Sequence, residues 1–248
     1  GYTQAGQENS FGWPAMADGL TYQYERLEQL QKEGKLEVER LGDTGRWFKE
    51  AYGVTPPSVV AALSDPLDTG KRSIWYSSRY YRINLYVEGS RFWIRDMHLF
   101  REDYRERYFD RLCTDSQLFY DNLPVMDGNR WSGHSVRAGL YPMLQTAEGL
   151  QPLTFRNVCY TERAGEAFVT FYRTACGDVT IQLLEDRLRI SLASAEQGEG
   201  QAESGCRMIW VPRYNSDAEY LPRRVSLDGR QLTLEYNGYP YGLRLTEG

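Results

Sequence analysis

Lysine is nearly missing from this chain: of 29 basic residues only Lys32, Lys35, Lys49 and Lys71 are lysines, and the rest are arginines. The net charge is −5 over 248 residues. No uniform positive field therefore exists to displace counterions from a phosphate backbone, and nucleic acid is not an expected partner. Arginine pairs carboxylates through a planar fork and stacks on rings, so its excess beside 19 Tyr and 6 Trp predicts Arg–aromatic and Arg–carboxylate packing. Histidine is equally scarce. His98 and His134 are the two in the chain, too few for a His-rich cage, and no metal or cofactor is expected. Cys113, Cys159, Cys176 and Cys206 are spaced like neither a zinc knuckle nor a redox motif. Buried free thiols are the expectation, with disulfide pairing left open. No apolar run approaches the ~20 residues of a membrane span. A phosphate-cradling glycine loop, a Gly-x-Ser-x-Gly elbow, a His-Glu-x-x-His helix and an internal repeat are also missing.

What is present is the composition of a globular protein, 41 % apolar and 25 % charged. Two periodicities divide the chain. Leu20, Tyr24, Leu27 and Leu30 fall on one face of a helix running to Lys32. Asp18 stands where it could cap that helix, and Gly34 where it could stop it. Leu36 and Val38 alternate with Glu37 and Glu39 up to Leu41, which predicts a short strand. A second short helix is expected from Arg46 to Tyr52, then a buried strand from Ser58 to Leu63. Helix, strand, helix, strand is the rhythm of parallel βα units. Residues 1–66 are thus expected to be a small α/β segment, resembling the end of a (β/α) barrel or a cap.

From residue 67 to 248 the period is two. Ile83, Leu85 and Val87, a turn at Gly89-Ser90, then Phe92 and Ile94 read as a hairpin. Phe168 to Tyr172, Val179 to Leu184 and Leu188 to Leu192 read as further strands. Asp228-Gly229 and Asn237-Gly238 mark closing hairpins, and Pro240 points to an edge strand. The expected class is mainly β: an antiparallel sandwich behind the α/β segment. Gln197 to Gly205 reads as a mobile loop.

Two groups of residues carry candidate chemistry. In the α/β segment, Glu8, Asp43 and Asp65 would stand on loops that follow strands, the reactive face of a barrel. Two such carboxylates could act as acid and base on a glycosidic bond, with Trp13 as a sugar platform. The plainer alternative is that Asp43 is a helix cap and Glu8 simple surface. In the sandwich, Asp96 and His98 follow Phe92–Ile94, and the loop from Asp127 to His134 holds Asn129, Trp131 and His134. A flat ring with fixed polar partners suits a sugar or another polar small molecule. The alternative there is a loop held by its own Asp and Asn turn bonds, with Trp131 plugging the sandwich. The aromatic run from Trp75 to Arg82 reads as strand packing or as a stacking surface.

Three segments carry a resemblance: Leu41-Gly42-Asp43-Thr44-Gly45-Arg46-Trp47-Phe48-Lys49 with Thr55-Pro56-Pro57; Trp75-Tyr76-Ser77-Ser78-Arg79-Tyr80-Tyr81-Arg82; and Arg95-Asp96-Met97-His98-Leu99-Phe100. Together they resemble the downstream part of uncharacterised bacterial glycoside-hydrolase-like proteins, in which a deacetylase- or mannosidase-type α/β barrel precedes a β-sandwich. The resemblance implies a secreted or periplasmic, glycan-related protein, an oligosaccharide or polysaccharide as partner, and earlier barrel strands upstream of Gly1. Asp43 is the acidic residue in the matching segment. The expected function is the C-terminal part of a glycoside-hydrolase-like enzyme with a sugar site near the junction. The alternative is a non-catalytic carbohydrate-binding or structural sandwich module.

Overall fold

The computed structural model describes residues 12–65, 67–114, 116, 121–193 and 207–246. The chain divides into two compact units, Gly1–Gly53 and Val54–Gly248. Glu8 and the segment Gln197 to Gly205 lie outside the described residues.

In the first unit the described residues form two helices, α1 (Trp13–Lys32) and α2 (Leu41–Ala51). α1 begins seven residues earlier than the apolar stripe suggests, because Pro14 is pre-set for a first helical turn. Asp18 is therefore inside the helix and caps nothing. Gly34, at φ 68°, ends it as expected. The strand expected from Leu36 to Leu41 does not form. Residues 36–40 are irregular and Leu41 opens α2. Alternation alone does not make a strand, since its backbone N–H and C=O groups need a partner ladder, and among the described residues no strand pairs with residues 36–40.

The second unit carries the sheets. Strand β1 (Ser58–Ala62) pairs antiparallel with β2 (Lys71–Ser77), so the parallel βα arrangement expected for residues 1–66 is absent. β1 is also mostly exposed rather than buried, being the outermost strand of its sheet. The unit boundary falls at Gly53/Val54, ahead of this strand, instead of at 66/67. After β2 come β3 (Tyr81–Glu88), β4 (Arg91–Leu99), β5 (Leu123–Met126), β6 (Gly139–Thr146) and β7 (Gly149–Pro152). With β12 (Arg207–Arg213) they build an eight-stranded sheet ordered β1-β2-β3-β4-β6-β12, with β5 on β4 and β7 on β6. A second sheet is ordered β11-β10-β9-β8, from β8 (Asn157–Arg163), β9 (Glu166–Thr174), β10 (Gly177–Leu183) and β11 (Leu188–Ala193). A third is the meander β13 (Arg223–Asp228), β14 (Gln231–Tyr236) and β15 (Tyr239–Arg244). Every pairing among the described strands is antiparallel. The protein is mainly β, with a sandwich-like arrangement of antiparallel sheets.

The core follows from the alternation. Ala167, Val169 and Phe171 on β9 and Val179, Ile181 and Leu183 on β10 are fully buried. They meet Ile83, Leu85 and Phe92 of the large sheet in one hydrophobic cluster, which also takes in Leu234, Tyr236 and Tyr241 of the meander. The ring of Phe171 stacks on Phe92 at 3.7 Å. Polar ties supplement this contact. The buried Tyr81 hydroxyl lies 2.7 Å from the Leu184 carbonyl and 2.9 Å from that of Arg187, in the β10–β11 turn. Tyr81→Phe is expected to cost about 1–1.5 kcal/mol, read in urea as a lower midpoint with unchanged slope. An unchanged midpoint would mean that water serves those carbonyls equally well.

The hairpin turns at Gly89-Ser90 and Asn237-Gly238 form where expected. At the first closing hairpin the two turn residues are Gly229 and Arg230, one step later than expected. β15, which holds Pro240, is an edge strand as predicted. The cysteines depart from expectation. Cys113 and Cys159 are exposed rather than buried, and Cys176 is disulfide-bonded.

Candidate functional site

The site begins with a fault in β4. Phe92 pairs with Val87, and Ile94 with Leu85, all on the core face. Strict alternation would then send Asp96 and His98 into the core as well. The register instead shifts, so that Asp96 pairs with Asn84 and His98 with Arg82, leaving Arg95 as an extra residue. One extra residue reverses the faces. Met97 enters the core cluster, while Asp96 and His98 move to the opposite face of the sheet, beside Arg82 and Asn84. These residues thus belong to β4 itself rather than to a loop after it.

β5 supplies the second half. It delivers Asp127 beside β4, with His98 opposite Pro124. Asp127 Oδ1 accepts the backbone N–H groups of Asn129 (3.0 Å) and Arg130 (2.8 Å), an Asx turn that fixes the carboxylate. Its other oxygen, Oδ2, lies 3.6 Å from His98 Nε2. Asp96 is held in the same way. Its Oδ1 accepts from Arg82 Nε at 3.0 Å, and its Oδ2 lies 3.5 Å from the same His98 Nε2. His98 is 2 % exposed, and its Nε2 has no hydrogen-bond partner.

Burial and charge oppose one another in this triad. Burial by itself would lower the His98 pKa, but the carboxylates of Asp127 and Asp96 outweigh it and raise it. Burial would raise Asp127, yet His98 and the N–H groups of Arg130 and Asn129 hold it down at about 2. The result is a preformed concentration of negative charge with an imidazole at its centre.

Asp96, His98, Asp127 and Asn129 line a cleft of about 590 Å³, walled by Trp75, Phe100 and Tyr108. Trp75 is 36 % and Phe100 41 % exposed, so their faces reach solvent. Arg82, whose guanidinium lies 6.0 Å from the Trp75 ring centre, also borders it. A second groove, lined by Asp228, Arg230, Gln231, Arg244, Leu245 and Thr246, lies at the end of the meander and contains neither imidazole nor thiol.

The residues expected from sequence scatter otherwise. Asp43 sits in the first turn of α2, where its charge suits the helix dipole, and pairs with Arg46. It does not occupy the cap position, which is Arg40. Asp65 is occupied by its own loop, accepting the N–H groups of Leu67, Thr69 and Lys71 and the Thr69 hydroxyl. The Thr69 backbone bond is the main reason its pKa is lowered. Trp13 is an exposed residue at the start of α1. His134 is exposed and does not line the cleft. Trp131 is 3 % exposed and packs in the core, so it is the plug of the plainer alternative and offers no open face to a sugar. Sequence reasoning considered Trp75 and Arg82 only as an aromatic run and Asp127 only as the start of a loop, and did not join them to Asp96 and His98. The Asp-x-Asn spacing of Asp127 and Asn129 was a usable signal for a side-chain-bonded turn. Nothing in the sequence marks Arg95 as a bulge.

No protein-family model, no curated protein and no solved structure matches the chain.

Proposed function

We propose that the second unit is a carbohydrate-binding module whose ligand, an oligosaccharide or polysaccharide, occupies the cleft over β2, β3 and β4. One observation carries this reading: buried polar groups at Asp96, His98 and Asp127 share a cleft with the half-exposed faces of Trp75 and Phe100. A sugar ring offers an apolar face for stacking and hydroxyls for fixed partners, which is the complement of that arrangement. The non-catalytic module is favoured over the barrel-derived hydrolase. Asp43 and Asp65 are engaged by local partners, and the parallel strands that would frame a barrel mouth are replaced by an antiparallel edge. A secreted or periplasmic setting belongs to the same reading. A disulfide at Cys176 suits an oxidising compartment.

The test is calorimetry against a panel of soluble oligosaccharides. Trp75→Ala is expected to weaken binding at least tenfold, about 1.4 kcal/mol, while leaving the melting temperature within a few degrees. Equal affinity in the variant, or no binding across the panel, would remove the cleft as a sugar site.

A further inference from the structure

We propose that Asp96 Oδ2, His98 Nε2 and Asp127 Oδ2 form a divalent transition-metal site of the zinc type, open to the cleft. Among the described residues this is the group of three whose ligand atoms lie within 4.8 Å of one another. The proposal does not rest on clustered acids alone, because a buried imidazole nitrogen without a hydrogen-bond partner points into the group.

Spacing is the first argument. A charge-assisted N–H···O bond is about 2.7–2.9 Å long, and the two carboxylate oxygens stand at 3.5 and 3.6 Å from Nε2. That is too far for either to hold a proton well. Bonds of about 2.0–2.2 Å to a tetrahedral ion place neighbouring ligand atoms about 3.3–3.6 Å apart. The two Nε2–Oδ2 distances are those of atoms sharing one ion.

The second argument is how each carboxylate is used. Asp96 gives Oδ1 to Arg82, and Asp127 gives Oδ1 to two backbone N–H groups. In both, Oδ2 is the oxygen turned towards the imidazole. Outer partners that hold one atom of a ligand and aim the other are the usual surroundings of a metal site. Burial agrees: both carboxylates are 8 % exposed, and Asp96 is paired with Arg82, which is itself 40 % exposed. An ion bound there would stand in for the imidazole proton that otherwise balances the two carboxylates.

Ligand chemistry selects the ion. One imidazole with two carboxylates and no thiolate suits Zn²⁺, Co²⁺, Mn²⁺ or Fe²⁺ better than soft Cu(I). Ca²⁺ would want six to eight oxygens, and Mg²⁺ an octahedron of them. Three protein ligands leave at least one position for water or a ligand oxygen from the cleft.

The full-length protein, freed of metal with chelator and dialysed, would be titrated with ZnCl₂ by calorimetry and with CoCl₂ by visible absorption. One ion per chain is expected, with the strong visible bands of four-coordinate Co²⁺ and no thiolate charge-transfer band. Asp127→Asn keeps the Oδ1 acceptor for its turn, so it should fold, and its affinity should fall at least 100-fold. His98→Gln should lose as much, and Arg82→Gln about tenfold. His134→Gln should bind like the unaltered chain. No binding up to millimolar metal would overturn the proposal. So would a thiolate band, which would place the ion on Cys113 or Cys159, or binding that survives Asp127→Asn within threefold.

Discussion

Phe171→Ala is expected to lower the free energy of unfolding by about 3–5 kcal/mol, the range for truncating a fully buried aromatic ring. Phe171 has no exposed surface and stacks on Phe92 across the gap between two sheets, with Phe155 a further 5.1 Å away. The cost should sit at the upper end because the hole cannot close. β9 is hydrogen-bonded on both sides, to β8 and β10, and Phe92 belongs to a strand paired with β3. Neither backbone can move inward without breaking a ladder. Phe171→Leu, which keeps most of the volume, should cost less than half as much. Urea denaturation would show a lower midpoint at constant slope. A loss under about 1 kcal/mol for the alanine variant would mean that the sheets do not meet at this ring.

Gly128→Ala is the second large effect, and it falls on the site. A Cβ at Gly128 would stand 2.4 Å from the Arg95 carbonyl oxygen and 2.5 Å from its Cγ. The Cγ belongs to a flexible side chain and can swing away. The carbonyl cannot, because Arg95 is the extra residue of the β4 bulge and its neighbours are held by β3. The loop must therefore lift, taking Asp127 with it. Overpacking of this kind costs about 1–3 kcal/mol, and ligand or metal affinity in the cleft should drop at least tenfold. Gly133→Ala is the internal control. The three atoms nearest its Cβ would all belong to the Asn215 side chain, at 3.1–3.3 Å, and need give by only a few tenths of an ångström. Calorimetry and melting on the two variants separate the cases. Similar behaviour of both would show that the 127–130 loop is not seated on the bulge.

The cleft shows where reading along the chain stops being sufficient. Asp96, His98 and Asn129 were picked from residue type, and they do converge. Trp131 and His134 were picked on the same grounds from the same loop, yet one is core and the other is exposed and does not line the cleft. A Gly-bracketed loop with a Trp and a His has no period from which its faces could be deduced. The Arg95 bulge has the same origin. Phe92, Ile94, Asp96 and His98 are evenly spaced, and only the fit of β4 against β3 inserts the extra residue that separates greasy from charged. Leu36 to Leu41 fails for the opposite reason: its alternation is real, but a strand needs a partner and helix α2 claims Leu41.

Side-chain order along the chain determined the mainly β class, the buried faces of β3, β9 and β10, and the turns at Gly89-Ser90 and Asn237-Gly238. Those features depend on alternation and on local turn chemistry, both of which are written in neighbouring residues. The tertiary structure alone decided that β1 would be an antiparallel edge, that β4 would bulge, and that Asp127 would come to rest against His98. Each of these depends on which strand lies next to which. Pairing between distant segments is settled by the whole core at once, and no short window of sequence contains it.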